Sequence, residues 1–300
     1  DMPFGIILII SIVFLLILIT IVIYIKRNKG KILKRQITSI EKYKIEVSKN
    51  IIKPNSVFLF GDFTAINNSG KNISYLFSPR LKQLFVLLLL NSLNENSVGI
   101  SSEEIYSVLW PEKSIQKAKN LKNVILSQLR NIIDDIDGVE IIYKNRKFVI
   151  VFEKTFYFDY LSLIEILENE SDILDSYSLV QIIQIMSNGV FLQCVDLEYF
   201  DKFKKDCESL IFKIIPEQLK RTFNNNNYDQ TIQLGKILVK IDPLNELAFY
   251  SRVHSFIKLG LFEKAKKSYN SYIIDYKKIM GDDFDKTFRE VSSEFSNYLK

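Results

Sequence analysis

The chain has 300 residues, 47% hydrophobic and 25% charged, with a formal net charge of +5, enough for about two domains of ordinary size. Two cysteines, Cys194 and Cys207, exclude a disulfide framework and lack zinc-site spacing. A single histidine, His254, removes most metal and triad chemistry, while ten glycines and six prolines exclude fibrous or low-complexity structure.

The apolar content and the charge are both uneven. Residues 4–25 (FGIILIISIVFLLILITIVIYI) hold 22 positions without a charge. At about 1.5 Å per residue they span about 33 Å, enough for a hydrocarbon core of roughly 30 Å. A cleaved signal peptide would need a basic leader and a small-residue cleavage site, and neither is present. A transmembrane helix is therefore expected over 4–25. Lys26, Arg27, Lys29, Lys31, Lys34 and Arg35 follow it directly, so the positive-inside rule places the rest of the chain in the cytoplasm. The opening Asp1, in place of Met, points to a longer protein whose missing part would lie on the other side. Residues 26–55 read as a polar juxtamembrane linker. Leu33, Ile37, Ile40 and Val47 fall near heptad positions, which leaves a weak dimer stalk, and hence a homodimer, open as the alternative.

From Ser56 the pattern turns strand-like. VFLFGDFTAINN reads as a strand ending in an Asn67-Asn68-Ser69-Gly70 turn, and KNISYLF as a returning strand. Ser78-Pro79 starts a helix, RLKQLFVLLLLNSL, buried on most sides. Ser101 and Glu104 form a capping box for a second helix ended by Pro111. A third helix runs from about Ser114 to Ile133, and VEIIYKNRKFVIVF reads as two strands joined by a Lys144-Asn145-Arg146-Lys147 tip. This order, two strands, three helices and a hairpin over residues 56–153, predicts a winged helix-turn-helix domain.

On the third helix, Ala118, Leu121, Ile125, Leu129 and Ile132 form an apolar stripe at helical spacing. Gln116, Lys119, Asn120, Asn123, Ser127 and Arg130 lie mainly on the other side. Between Ser114 and Ile133 there are four Lys or Arg and no acid. Such a face suits a phosphate-lined groove, where Asn reads adenine and Arg reads guanine. By itself this composition fits a solvated surface helix equally well, and the basic tip that follows shifts the balance toward DNA. Trp110 reads as a core aromatic, and Arg80, near a helix start, as a phosphate contact. Asp134, Asp135 and Asp137 lack the Gly and distal Glu of a calcium loop and read as a turn.

These residues carry a resemblance. The elements Pro79-Arg80, Leu109-Trp110 and Ala118-Lys119-Asn120 with Ser127-Gln128-Leu129-Arg130 resemble the OmpR/PhoB-type winged helix, and more closely its version in SARP-type bacterial transcriptional activators. The match covers about residues 57–152. Lys122 and Ile125 depart from the response-regulator branch.

Beyond Phe156 the chain reads as helical. Asn227-Tyr228-Asp229 and Leu261-Phe262-Glu263 repeat a local pattern 34 residues apart, with Asp242-Pro243 between them. That period is the signature of tetratricopeptide (TPR) repeats, so a short α-solenoid is expected over 156–300. Helices in this region also resemble the activator domain that follows the winged helix in SARP-type proteins. The resemblance implies self-association, effector response or contact with RNA polymerase. His254 reads as a packed or solvated residue, and Cys194 and Cys207 as small apolar ones.

The fold class expected is mainly α with small β elements: a transmembrane helix, a winged helix and a TPR-like solenoid. The function expected is a transcription regulator on the bacterial inner membrane, single-pass, with its C-terminal part cytoplasmic. Double-stranded DNA would be held by Lys119, Asn120, Asn123, Ser127 and Arg130 in the major groove, by Lys144, Asn145 and Arg146 as the wing, and by Arg80. No acid, base or metal set converges, so no catalytic activity, cofactor or metal is expected. A membrane-tethered scaffold, with the winged helix making protein contacts, is the alternative.

Overall fold

The computed structural model describes residues 53–93, 99–169 and 174–293. The transmembrane helix expected over 4–25 and nearly all of the linker over 26–55 lie outside these residues. Among the described residues no helix is long and apolar enough to cross a membrane.

The chain enters through a tight hairpin. Strand β1 (Ser56–Phe58) pairs antiparallel with β2 (Thr64–Ile66), Val57 facing Ala65. The hairpin lies inside the segment expected to be one strand, because Gly61 takes φ +79 and turns the chain. The expected returning strand is only a bridge between Ile66 and Asn72, followed by a 3-10 turn over Ser74–Leu76. Its polar groups are satisfied locally: the Ser74 hydroxyl accepts the Ala65 N–H at 2.9 Å, and Asn72 Oδ1 accepts the Ser74 N–H. That leaves less for a ladder.

Helix α1 (Pro79–Asn91) starts at Ser78, whose hydroxyl accepts the Leu81 N–H. Every residue from Leu84 to Leu90 is buried, so α1 is the central rod of this half. Strand β3 (Ile100–Ser101) leads into α2 (Ser102–Leu109) through the Ser101–Glu104 capping box. Helix α3 (Ile115–Ile133) follows. Strands β4 (Val139–Lys144) and β5 (Lys147–Phe152) then form an antiparallel hairpin to which β3 adds, in the order β3-β5-β4. The acidic turn after α3 docks on the entry hairpin: Asp137 N–H donates to Asn55 Oδ1 at 2.8 Å, and Asn68 N–H to the Asp135 carbonyl at 2.8 Å.

Strand β6 (Tyr157–Phe158) returns to the first sheet and pairs parallel with β1, giving the order β2-β1-β6. Helices α4 (Asp159–Asn169) and α5 (Ser176–Ser187) follow. The loop after α5 comes back to the same sheet: Gly61 N–H donates to the Val190 carbonyl at 3.0 Å, and Leu192 N–H to the Leu59 carbonyl at 2.9 Å. Tyr160 stacks on Phe191 at 4.1 Å between ring centres. The topology changes near residue 154, yet one apolar core runs from Val57 through α1 and α4 to Ala248, and the described residues form one compact unit.

The remaining helices are α6 (Asp201–Asn224), α7 (Tyr228–Ile241), α8 (Glu246–Lys258), α9 (Phe262–Met280) and α10 (Phe288–Ser293). Helices α7 and α9 begin 34 residues apart on nearly the same backbone, Asn227 at φ −84, ψ 60 and Leu261 at φ −96, ψ 58. Helix α8 packs against both. Phe249 of α8 stacks on Tyr272 of α9 at 3.9 Å, and Phe284 meets both rings edge-on. His254 is buried and its Nε2 donates to the Val291 carbonyl at 2.8 Å, fastening α10. Cys194 and Cys207 are free thiols, and burial pushes Cys207 up to about 12.

Candidate nucleic-acid interface

Helices α2 and α3 are separated by the turn Trp110–Ser114. Trp110 is buried and caps α2, its N–H donating to the Tyr106 carbonyl at 2.9 Å. The capping box also holds Glu104 well below the usual carboxylate range, through its hydrogen bonds to Ser101. These contacts fix where α3 begins.

The buried side of α3 is Ala118, Lys122, Leu126, Leu129 and Ile133. The stripe expected from the sequence sits one position away. Leu121 is exposed, and Ile125 and Ile132 are only half-buried. The reason is Lys122. It is 7% exposed, and its Nζ lies 4.8 Å from the Phe148 ring centre and 3.4 Å from the Ser102 hydroxyl, to which it donates. Four methylenes pack as an apolar residue would while the ammonium finds an aromatic face and a hydroxyl. Burial pushes the Lys122 ammonium below its ordinary range, with Lys119 and Arg130 adding to the effect. Lys122 thus ties α3 both to the start of α2 and to β5, the second strand of the wing.

That rotation decides what faces outward. Lys119, Asn120, Asn123, Ser127 and Arg130 are all exposed. With Gln116 they fall within about 100° of arc at ~100° per residue, so one flank of the helix carries them all. Gln116 Nε2 donates to Asn120 Oδ1 at 3.4 Å. The adjoining flank presents Leu121 and Val124, the latter 56% exposed.

The wing is a two-residue hairpin loop. Lys144 pairs with Lys147, and Asn145 and Arg146 take φ 52 and φ 64 between them. Two consecutive left-handed residues match the twist of the strands, and Lys144, Asn145 and Arg146 are exposed. Tyr143, at 57% exposure, leans on Phe148 at 4.8 Å. The wing and the buried Lys122 therefore share the Phe148 ring.

Arg80 is separate from this group. It stands in the first turn of α1, its Nη1 donating to Gln83 Oε1 at 2.9 Å. Its charge is felt by Glu112, in the turn that enters α3; that carboxyl is lowered first by a backbone hydrogen bond, then by Lys113 and Arg80. Lys122 is the residue that sequence reasoning missed as part of the site. The spacing 118, 122, 126, 129, 133 is as good a helical stripe as the one chosen, once a lysine stem is counted as apolar.

The order and packing of these elements define a winged helix-turn-helix joined to stacked helical hairpins. The fold is similar to that of Mycobacterium tuberculosis EmbR, solved in complex with a low-affinity phosphopeptide, with a TM-score of 0.50 and 14% sequence identity. The likeness covers 80% of this chain and 64% of the EmbR chain, so this chain spans less than two-thirds of that one. At this identity the likeness is one of fold. No family model and no curated protein matches the sequence.

Proposed function

We propose that the chain is a membrane-anchored, DNA-binding transcription regulator. The observation that carries the reading is the exposed flank of α3, where Lys119, Asn120, Asn123, Ser127 and Arg130 stand together without an acid among them. The flank would enter the major groove, with Asn123 and Arg130 on base edges and Lys119 on phosphate. Leu121 and Val124 on the adjoining flank suit thymine methyl groups. Lys144, Asn145 and Arg146 would hold the backbone beside the groove, and Arg80 a phosphate further along. The SARP-type resemblance of the sequence and the fold shared with EmbR support a regulator, and residues 4–25 supply the anchor.

Fluorescence anisotropy of labelled duplex DNA, titrated with the full chain at 50 and 200 mM salt, tests this. Six phosphate contacts would cost about a thousandfold in affinity between the two. Lys119→Glu combined with Arg130→Glu should abolish binding at both. Binding at 50 mM no tighter than that of a matched acidic protein defeats the reading. The second reading, a winged helix that contacts protein, draws on the exposed Leu121 and Val124. It requires partner capture that survives the charge reversal and is lost with Leu121→Ser and Val124→Ser.

A further inference from the structure

The hairpin repeats hold a half-buried arginine with no ion-pair partner among the described residues. Arg252 lies on α8, between α7 and α9, and its Nε is buried with no hydrogen-bond partner. Among the described residues no carboxylate lies within 4 Å of its guanidinium. Burial pushes its ionisation down from the ordinary range, with no acid to oppose it. A buried guanidinium N–H without an acceptor is costly, and an oxyanion beside it would supply one.

The fold makes room for this residue. Gly235 sits in the interior of α7, where glycine costs about 1 kcal/mol against alanine. A Cβ there would stand 2.5 Å from Arg252 Cγ and 2.7 Å from its Cδ. The arginine stem thus occupies the space that a side chain on α7 would fill. In front of it lies a shallow cleft with enclosed room for about one water-sized group, walled by Val239, Pro243, Phe249 and Tyr272 and edged by Ser268 and Asp275. Ser268 is 6% exposed and its hydroxyl has no partner. Lys236 stands close enough to Arg252 and Lys264 for both to depress its ionisation, after burial.

We propose that this cleft between α7, α8 and α9 is an oxyanion site. Arg252 and Ser268 donate to a carboxylate or phosphate group, and Lys236 and Lys264 supply long-range positive charge. A planar guanidinium pairs with either group through two parallel hydrogen bonds. Asp275 at the rim disfavours ligands with charge spread beyond one end. The site is independent of whether the winged helix binds DNA, and it gives the helical half a ligand to sense.

The full chain melted in chloride, in inorganic phosphate and in succinate, at equal ionic strength, distinguishes the sources. At ten times the dissociation constant the bound anion should raise the midpoint by roughly 3–6 °C. A rise in phosphate alone assigns a phosphate-bearing ligand, and one in succinate alone a carboxylate. Arg252→Met keeps the stem without the charge; it should melt no lower than the parent in chloride and lose the anion-dependent rise. Gly235→Ala, which displaces the stem, should lose the rise as well. No rise in either anion, or an equal rise in Arg252→Met, overturns the proposal.

Discussion

The Asp159 carboxylate accepts the Leu59 N–H at 2.9 Å through both oxygens, across 100 residues of chain. One oxygen also accepts the Phe60 N–H at 3.1 Å, and the other the Tyr160 N–H at 2.8 Å. Leu59 and Phe60 leave β1, and Asp159 opens α4, so one fully buried side chain satisfies the end of a strand and the start of a helix together.

Burial raises the Asp159 carboxyl to about 7 against the pull of the backbone N–H groups bonded to it. The folded state therefore holds a proton that the unfolded chain releases near pH 4. The stability linked to this group is complete below about pH 4 and is lost as pH rises toward 7, at up to about 1.4 kcal/mol per pH unit. Urea unfolding at pH 4.5, 6 and 7.5 should show this decline in the parent and a flatter profile in Asp159→Asn. Parallel profiles would contradict it.

Lys122 fills an apolar slot beneath the outward flank of α3. Lys122→Met should leave the thermal midpoint unchanged or higher, since a methionine of similar length needs no desolvated charge. Lys122→Ala should cost about 2 kcal/mol through the space left behind. Thermal melts of the two variants check the contrast.

Arg146 holds a left-handed conformation that costs an L-residue about 1 kcal/mol. Arg146→Gly turns the tip into Asn-Gly, the preferred pair for such a loop. The variant should gain about 0.5 kcal/mol in stability. If the wing contacts phosphate, the slope of log affinity against log salt should fall by about 1. Melting and anisotropy read the two effects separately.

Gly61 and Gly189 lie back to back where the entry hairpin meets the loop after α5. A Cβ on Gly61 would stand 2.3 Å from the Asn188 carbonyl oxygen, and its φ of +79 strains any other residue. Gly61→Ala should cost about 3 kcal/mol or more. Calorimetry should still show a single transition at a lower temperature, because the core is shared.

The elements were legible in the sequence where local chemistry decides them. Ser78-Pro79, the Ser101–Glu104 box and the Lys144–Lys147 turn between the wing strands are satisfied within a few positions of themselves, so the residues announce them. The 34-residue spacing of α7 and α9 was visible for the same reason. The register of α3 was less legible, because counting Lys122 as polar moved the stripe to Leu121 and Ile125. The entry hairpin was hidden by distance: β1 is held by β6 and by residues 190–192, and no local pattern encodes partners 100 residues away. Arg252 carried no signal either, since its meaning lies in Gly235 across the helix interface.

The parallel pairing of β1 with β6 has a consequence during synthesis. Until Asp159 and the loop through Leu192 have left the ribosome, the Leu59 and Phe60 N–H groups lack their acceptor and the Leu59 carbonyl lacks its donor. A nascent chain that stops at residue 153 carries every base of the proposed DNA-reading flank on an unfinished scaffold. The entry sheet thus closes only after the first helices of the following half exist.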